Sequence, residues 1–501
     1  MTVPIRAGWL CAGVVAAGVG GALFWGSAAA SAAPDTDTAR DTAPVRASHA
    51  ARSAPRTVAA TSRPVIARSA LNGAVGGTPQ APGPLQAAVL AAQAYLYGYP
   101  LLEFERFGSQ VPSLNTLESR PVFAAPNDVP IWRPNTDTFY SRAVLDLSEG
   151  PAVLSFPDMG DRYFSFQLND PYTNVIGYIG SRTTGPGPGK YAITWDAGPQ
   201  VSVDGAQVIT VPDRNIMLLG RTLAGDAADQ LQAAALISQY TLTVTGPSVD
   251  PLPATTPPAG LAALDAISAA MERNPPPARD AAQLQAMAQI GVGPGMRIAD
   301  AGLSPLSALA ADFAVQTTAA LLPLVAALTQ LASAVVNRGW ATPDSAIGDY
   351  GTNYALRAGV ILVGPWANTP AEAVYSAGLL DQYLLPLTGS RSYVMHFAPG
   401  QEPPVGAFWS VTVYDGDGAL VPNPGNLHSV SSSRPGELVR RPDGSIDIIF
   451  SRSDPQDPGA NWLPVPAGAF SAYMRMYVPG AAVLDGTWTP PPIQPRFGLF
   501  G

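Results

Sequence analysis

At 501 residues the chain is longer than one hydrophobic core usually organises, so two or three domains are expected. It is 47% hydrophobic and only 13% charged, with 52 Pro and 49 Gly, a composition of many turns and short strands rather than long helices. Of the formal charge of −9, Arg6 carries +1 and residues 34–84 carry +3, which leaves −13 for the remainder, a balance that argues against nucleic acid as a partner.

Residues 1–33 have the pattern of a secretory signal. Arg6 gives a positive start, Gly8 to Trp25 an apolar stretch, and Ala30-Ser31-Ala32 a small-residue cleavage site. Uncleaved, the same stretch is just long enough to anchor the chain in a bilayer. With cleavage, no membrane span is expected and the protein is secreted or held in the cell envelope or periplasm. Cys11 is the only cysteine and lies inside this signal, so the exported chain would have no disulfide and no thiol ligand. Residues 34–84 are rich in Ala, Pro, Ser, Thr and Arg without periodicity and read as a disordered linker.

The folded part opens with a helix over Gly83–Phe107, where Leu85, Val89, Ala92 and Leu96 recur at helical spacing and Pro100 is expected to break or kink it. From about 120 to 223 short alternating runs separated by turns predict a β-sandwich, with Phe164, Phe166 and Leu168 on one face and Ser165 and Gln167 on the other. Residues 226–345 read as helical. Asp226, Asp280 and Ser304 are candidate N-caps, and Ser304 to Arg338 is a long apolar stretch interrupted by Pro323. That stretch is read as a helix packed between domains rather than a membrane span, because Asp312, Gln316, Thr317 and Thr318 interrupt its first half. Strands return over 346–501. Trp409, Val411 and Val413 alternate with Ser410, Thr412 and Tyr414, and Phe470, Ala472, Met474 and Met476 alternate with Ser471, Tyr473, Arg475 and Tyr477, a pattern that fits a two-sheet jelly roll. The expected fold is therefore mainly β with α: an immunoglobulin-like sandwich over 85–225, a helical middle and a C-terminal jelly-roll sandwich.

Ordered blocks carry a resemblance. Asn135-Thr136-Asp137-Thr138, Tyr140, Asp161-Arg162-Tyr163 and Gly220-Arg221 in the first half, and Tyr354, Arg357, Gly400-Gln401, Pro403-Pro404, Phe408-Trp409-Ser410 and Asn461-Trp462-Leu463-Pro464 in the second, resemble a bacterial family of paired domains of unknown function, 1254 and 1214. The resemblance spans about residues 86–492. It implies the sandwich, helix and jelly-roll order, and no reaction, substrate or cofactor. One departure is Leu427-His428, where the resemblance leads to an Arg-Tyr pair.

No residue set names a reaction. His396 and His428 are the only histidines after residue 84, and no G-x-S-x-G turn occurs, so serine hydrolysis and a His-rich zinc site are both disfavoured. Asp415-Gly416-Asp417-Gly418 superficially opens like a calcium loop, but Asn426 stands where the twelfth-position Glu belongs, and a hairpin turn fits better; no cofactor is expected. Gly185-Pro186-Gly187-Pro188-Gly189-Lys190 lacks the Ser/Thr and the helix of a phosphate loop.

What remains is carboxylate acid–base chemistry or binding of a polar ligand. Asp137 and Asp170 are the candidate catalytic pair; the structural alternatives are that Asp137 caps a turn and that the neighbouring Asp161 pairs with Arg162. Tyr140, Arg162, Tyr354, Arg357, Trp409, Asn461, Trp462, Tyr473, Arg475 and Tyr477 are candidate contacts for a small polar or glycan-like ligand, because stacking rings beside a fork-shaped donor suit one. Arg475, between Tyr473 and Tyr477 on one strand face, is expected to find a carboxylate partner in the N-terminal domain, Asp137 or Asp170. The rival reading is a non-enzymatic envelope or assembly protein, and a homo-oligomer is left open.

Overall fold

The computed structural model describes residues 81–126, 133–244, 252–253, 258–333, 335–343, 345–434 and 436–496. The signal and the linker up to residue 80 lie outside the described residues. The described chain is mainly β with helices, 28% strand and 26% helix, in four sheets of which none closes.

Helix α1 (Pro84–Gly108) starts with proline at a position whose N–H the first turn would leave unused. It continues through Pro100 rather than breaking there. The lost hydrogen bond costs about 3 kcal/mol, and Leu101, Leu102 and Phe104, all fully buried around it, offset that at roughly 1.5–3 kcal/mol each.

The N-terminal β unit follows: β1 (Glu118–Arg120), β2 (Thr138–Asp146), β3 (Ala152–Phe156), β4 (Phe164–Asn169), β5 (Val175–Gly180), β6 (Gly189–Trp195), β7 (Gln207–Val211), β8 (Asn215–Leu223), α2 (Ala227–Ile237) and β9 (Thr241–Val244). The strands form two sheets, ordered β1-β2-β8-β4-β5 and β7-β6-β3-β9. Phe139, Phe164, Phe166, Leu168 and Leu218 of the first meet Leu154, Phe156, Tyr191 and Ile193 of the second in one core. The first sheet's other face carries Tyr140, Gln167 and Arg221. β9 lies inside the stretch read as helical: the Thr-Leu-Thr-Val alternation pairs with β3 and completes the second sheet.

The helical layer contains α3 (Leu261–Arg273), α4 (Ala281–Ala288), α5 (Pro305–Ser333), strands β10 (Val335–Asn337) and β11 (Trp340–Thr342), and α6 (Tyr354–Val363). Gly98 of α1 makes the packing against α3 tight, since a Cβ there would sit 2.3 Å from Ile267 Cγ2. Asp226 caps α2 through the Asp229 N–H, and Ser304 caps α5 through the Ser307 N–H. Asp280 does not cap α4; its carboxylate accepts from Tyr97 and Tyr354 instead.

α5 also differs from expectation. It runs through Pro323, and it lies at the surface rather than between the β units. Its inner face packs on α1 and α6, while Leu306, Leu309 and Phe313 are 63, 65 and 71% exposed. With Leu85 of α1, Phe313 lines a shallow apolar groove of about 380 Å³. By length and composition alone, Pro305–Leu328 would suffice to cross a membrane.

The C-terminal β unit is β12 (Ala373–Gly378), β13 (Tyr393–Phe397), β14 (Trp409–Asp415), β15 (Ser429–Ser431), β16 (Ile446–Ser451), β17 (Asn461–Pro464), β18 (Phe470–Tyr477), α7 (Ala481–Leu484) and β19 (Ile493–Pro495). Its sheets are ordered β10-β11-β12-β18-β14-β15 and β17-β16-β13-β19, with a shared core of Trp409, Val411, Met474, Met476, Phe397 and Phe450. Strand parity then points Tyr375, Ser410, Thr412, Tyr414, Tyr473, Arg475 and Tyr477 away from that core. This polar, aromatic face meets the Arg221 face of the N-terminal unit.

Candidate functional site

The two faces make a junction built almost entirely of polar and aromatic side chains. At one end, Asn135 accepts the N–H groups of Asp137 and Thr138 on its Oδ1, which shapes the turn into β2, and donates from Nδ2 to the Tyr477 hydroxyl at 2.8 Å. The turn is therefore capped by Asn135 and not by Asp137. Asp137, 1% exposed, instead accepts from Ser410 Oγ at 2.6 Å across the junction. The Tyr414 hydroxyl donates to the Pro134 carbonyl at 2.6 Å.

Arg475 sits in this end, buried, as the strand pattern placed it. Its direct partners are not carboxylates. It donates to Thr412 Oγ1 at 2.9 Å, to the Tyr414 hydroxyl at 2.6 Å and to the Arg133 carbonyl at 3.2 Å. Among the described residues no ion pair reaches it. Burial opposes its charge, and Tyr414 and Asp137 nearby more than offset that, so its pKa stays above the ordinary value. Ser410, Arg475's neighbour across the β14–β18 pair, is the residue that bonds Asp137, on Oδ2, while Arg475 turns to Thr412, Tyr414 and the Arg133 carbonyl. Tyr473 stacks under the Arg133 guanidinium, 4.2 Å from ring centre.

At the other end, Glu372 lies just before β12 and is 1% exposed. It accepts from the Tyr163 hydroxyl at 2.7 Å and from Arg182 Nε at 2.6 Å, both from the N-terminal unit. Burial first, and the Glu372 charge second, raise the Tyr163 pKa well above its ordinary value, so the hydroxyl stays a donor.

Between these ends is Arg221, 5% exposed. Nη1 donates to Gln167 Oε1 at 2.6 Å and to Asn368 Oδ1 at 3.0 Å, and Nη2 to the Trp366 carbonyl at 3.0 Å. Trp366 holds that carbonyl in place from a left-handed backbone conformation, φ 60°, unusual for so large a side chain. The Tyr140 ring lies 5.7 Å below the guanidinium, and Tyr163, Tyr375 and Tyr477 complete the surround. Asn368 Nδ2 donates to the Tyr375 hydroxyl at 2.7 Å. Tyr140 and Tyr375 are half-buried, the rest of the group is buried.

Thus the structure brings Asp137, Tyr140, Tyr473, Arg475 and Tyr477 together at the junction. The other candidates lie elsewhere. Asp170 closes the β4–β5 turn, accepting the Asn174 N–H and side-chain amide at 2.8 Å each. Arg162 pairs with Asp229, not with the exposed Asp161, at 2.5–2.8 Å. Tyr354 and Arg357 are on α6, where the fully buried Arg357 is boxed by the rings of Tyr97, Tyr172 and Tyr354. Trp409 points into the C-terminal core and donates to Glu402. Asn461 and Trp462 are on the far sheet, bonded to the Val439 and Ser451 carbonyls. Asp415 accepts the N–H groups of Asp417 and Ala419 within its own hairpin turn.

Sequence reasoning passed over Arg221, Glu372, Asn368 and Tyr375 as site residues. Arg221 offered a signal: an Arg inside the apolar run Ile216–Leu223, on the face opposite Leu218, which only a covered polar surface explains.

Two families of proteins of unknown function match the chain, DUF1254 over residues 114–244 and DUF1214 over residues 372–481. The chain pairs a DUF1254 domain with a DUF1214 domain. The junction is thus the contact between them, with Arg221 and Tyr140 from DUF1254 and Glu372, Tyr375 and Tyr477 from DUF1214. Tyr354 and Arg357 fall outside both. The VPA0106 protein of Vibrio parahaemolyticus is similar in fold, with TM-score 0.63 and 23% identity over 82% of this chain and 100% of that one. An uncharacterized protein from Burkholderia cenocepacia aligns over 82% of this chain and 94% of its own, at 14% identity and TM-score 0.40. No curated protein matches.

Proposed function

We propose that this is an exported protein that binds a small polar ligand between its DUF1254 and DUF1214 domains. The observation that carries the reading is the convergence of side chains from both domains on one spot: Tyr140, Gln167 and Arg221 from one sheet, Asn368, Tyr375 and Tyr477 from the facing segment and sheet. Aromatic walls around a few fixed donors are what a polar, ring-bearing or glycan-like molecule needs for orientation. Binding is the core of this proposal; no acid–base pair is invoked, since Asp137 is bonded to Ser410 and Asp170 closes the β4–β5 turn. Native mass spectrometry of the protein taken from its own host tests it. A stoichiometric small-molecule adduct, weakened by Tyr140→Phe, supports the reading. A bare mass, together with no thermal shift across a panel of wall and plant glycans, sinks it.

A second reading, a non-enzymatic envelope or assembly protein, draws on the exposed Leu306, Leu309 and Phe313 stripe of α5 and on the closely bonded junction. Light scattering over a concentration series distinguishes it: self-association removed by Phe313→Glu favours assembly. Export itself is checked by N-terminal sequencing, with a start after Ala32 expected.

A further inference from the structure

We propose that the ligand taken at the domain junction carries a carboxylate and that Arg221 is its counter-ion; this rests on the reading of the junction as a small-ligand site. Two of the guanidiniums at the junction have a negative neighbour. Arg182 is paired with Glu372. Arg475 has Asp137 within electrostatic reach, although not bonded to it. Arg221 has neither. It is 5% exposed, and its three hydrogen bonds go to a Gln oxygen, an Asn oxygen and a backbone carbonyl. Among the described residues no carboxylate pairs with it.

A buried cation held only by neutral oxygens is poorly compensated. A guanidinium has five N–H donors in a rigid fork, and these three bonds use neither the Nε–H nor the second Nη2 hydrogen of Arg221. Two donors on one guanidinium match the two oxygens of a carboxylate, which then supplies both the bonds and the missing charge. The half-buried Tyr140 and Tyr375 stand beside the guanidinium, so a ligand approaching it passes their rings and meets their hydroxyls. The body of the ligand is therefore expected to be flat or sugar-like and its acid group to lead.

The probes are matched pairs that differ in the acid alone: D-glucuronate against D-glucose, and 4-hydroxybenzoate against 4-hydroxybenzyl alcohol, extended to a panel of small carboxylates at constant ionic strength. Thermal shift and calorimetry read binding. Acid members are expected to stabilise the protein and neutral members not. Arg221→Gln should weaken acid binding on the order of 100-fold, the scale for removing one partner of a buried charge pair. Arg221→Lys, which keeps the charge and guards against a variant that fails to fold, should recover part of the loss because it lacks the fork. If acid and neutral members bind equally, or a folded Arg221→Gln binds acids as the parent does, the carboxylate assignment is overturned while the small-ligand reading stands. If neither acids nor neutral sugars bind anywhere in the panel, both are overturned.

Discussion

Removing the Glu372 carboxylate should separate the two domains energetically. Glu372 is 1% exposed and takes one hydrogen bond from Tyr163 and one from Arg182. In Glu372→Ala the Tyr163 hydroxyl, 3% exposed, keeps only Ser165 Oγ at 3.1 Å. A buried hydroxyl short of its acceptor costs about 1–3 kcal/mol. Arg182 has a 27% exposed side chain and regains water, so its share is discounted to at most about 1 kcal/mol. The sum is a loss of about 1–4 kcal/mol in Glu372→Ala. In Glu372→Gln the amide oxygen still accepts from Tyr163, so about 1 kcal/mol is lost. The assay is urea unfolding followed by tryptophan emission, arranged as a double-mutant cycle with Tyr163→Phe. A coupling of about 1.5 kcal/mol is expected for a bond to a charged acceptor. A coupling below about 0.3 kcal/mol, the scatter of independent sites, would refute the claim that this bond ties the domains.

Three other outcomes are expected. The hydrogen bonds from Arg162 chiefly, with burial opposing and the Gly225 N–H assisting, hold Asp229 below the usual aspartate range. A depressed folded pKa gives stability that is full above the unfolded value and fades as pH falls through the folded one. The melting temperature should therefore drop more steeply below about pH 4 in the parent than in Asp229→Asn; equal slopes would contradict this. Gly98→Ala should destabilise by about 1–3 kcal/mol in chemical denaturation despite alanine's better helix propensity, because Ile267 occupies the space a Cβ needs; an unchanged midpoint would mean α1 and α3 part freely. Phe313→Glu should leave stability within about 0.5 kcal/mol and shorten retention on a hydrophobic column, given its 71% exposure; a large stability loss would show that α5's outer stripe is covered.

Strand parity was the most legible property of the sequence. The alternation over Phe470–Tyr477 correctly separates the core residues from Tyr473, Arg475 and Tyr477, because a pleated strand leaves each side chain one choice of face. What that face meets is not a local property. Arg475's partners come from β14 and from residue 133, positions that its own strand does not reveal. Helix ends were legible at Asp226 and Ser304, whose caps bond three residues on, and illegible at Asp280, where tyrosines distant in sequence claim the carboxylate. The prolines misled for the same reason. Pro100 has a local cost that the burial of its neighbours outweighs, and Pro323 stays within a helix of which only the inner face is covered. Asn461 and Trp462 looked like ligand contacts, yet their bonds to nearby carbonyls hold β16 and β17 in place, a role that the side-chain types alone do not distinguish.

The position of β18 also sets an order of events. It lies between β12 and β14, so the two inner neighbours of that sheet have no common strand until residues 470–477 exist. Until then the Arg221 face of the DUF1254 domain lacks Tyr477, which arrives on that same strand. Completion of the sheet and closure of the junction are consequently one late step, governed by pairing between segments far apart in sequence. The helices can form early without advancing it. The rate at which the protein reaches its native state should follow the search for β18's place.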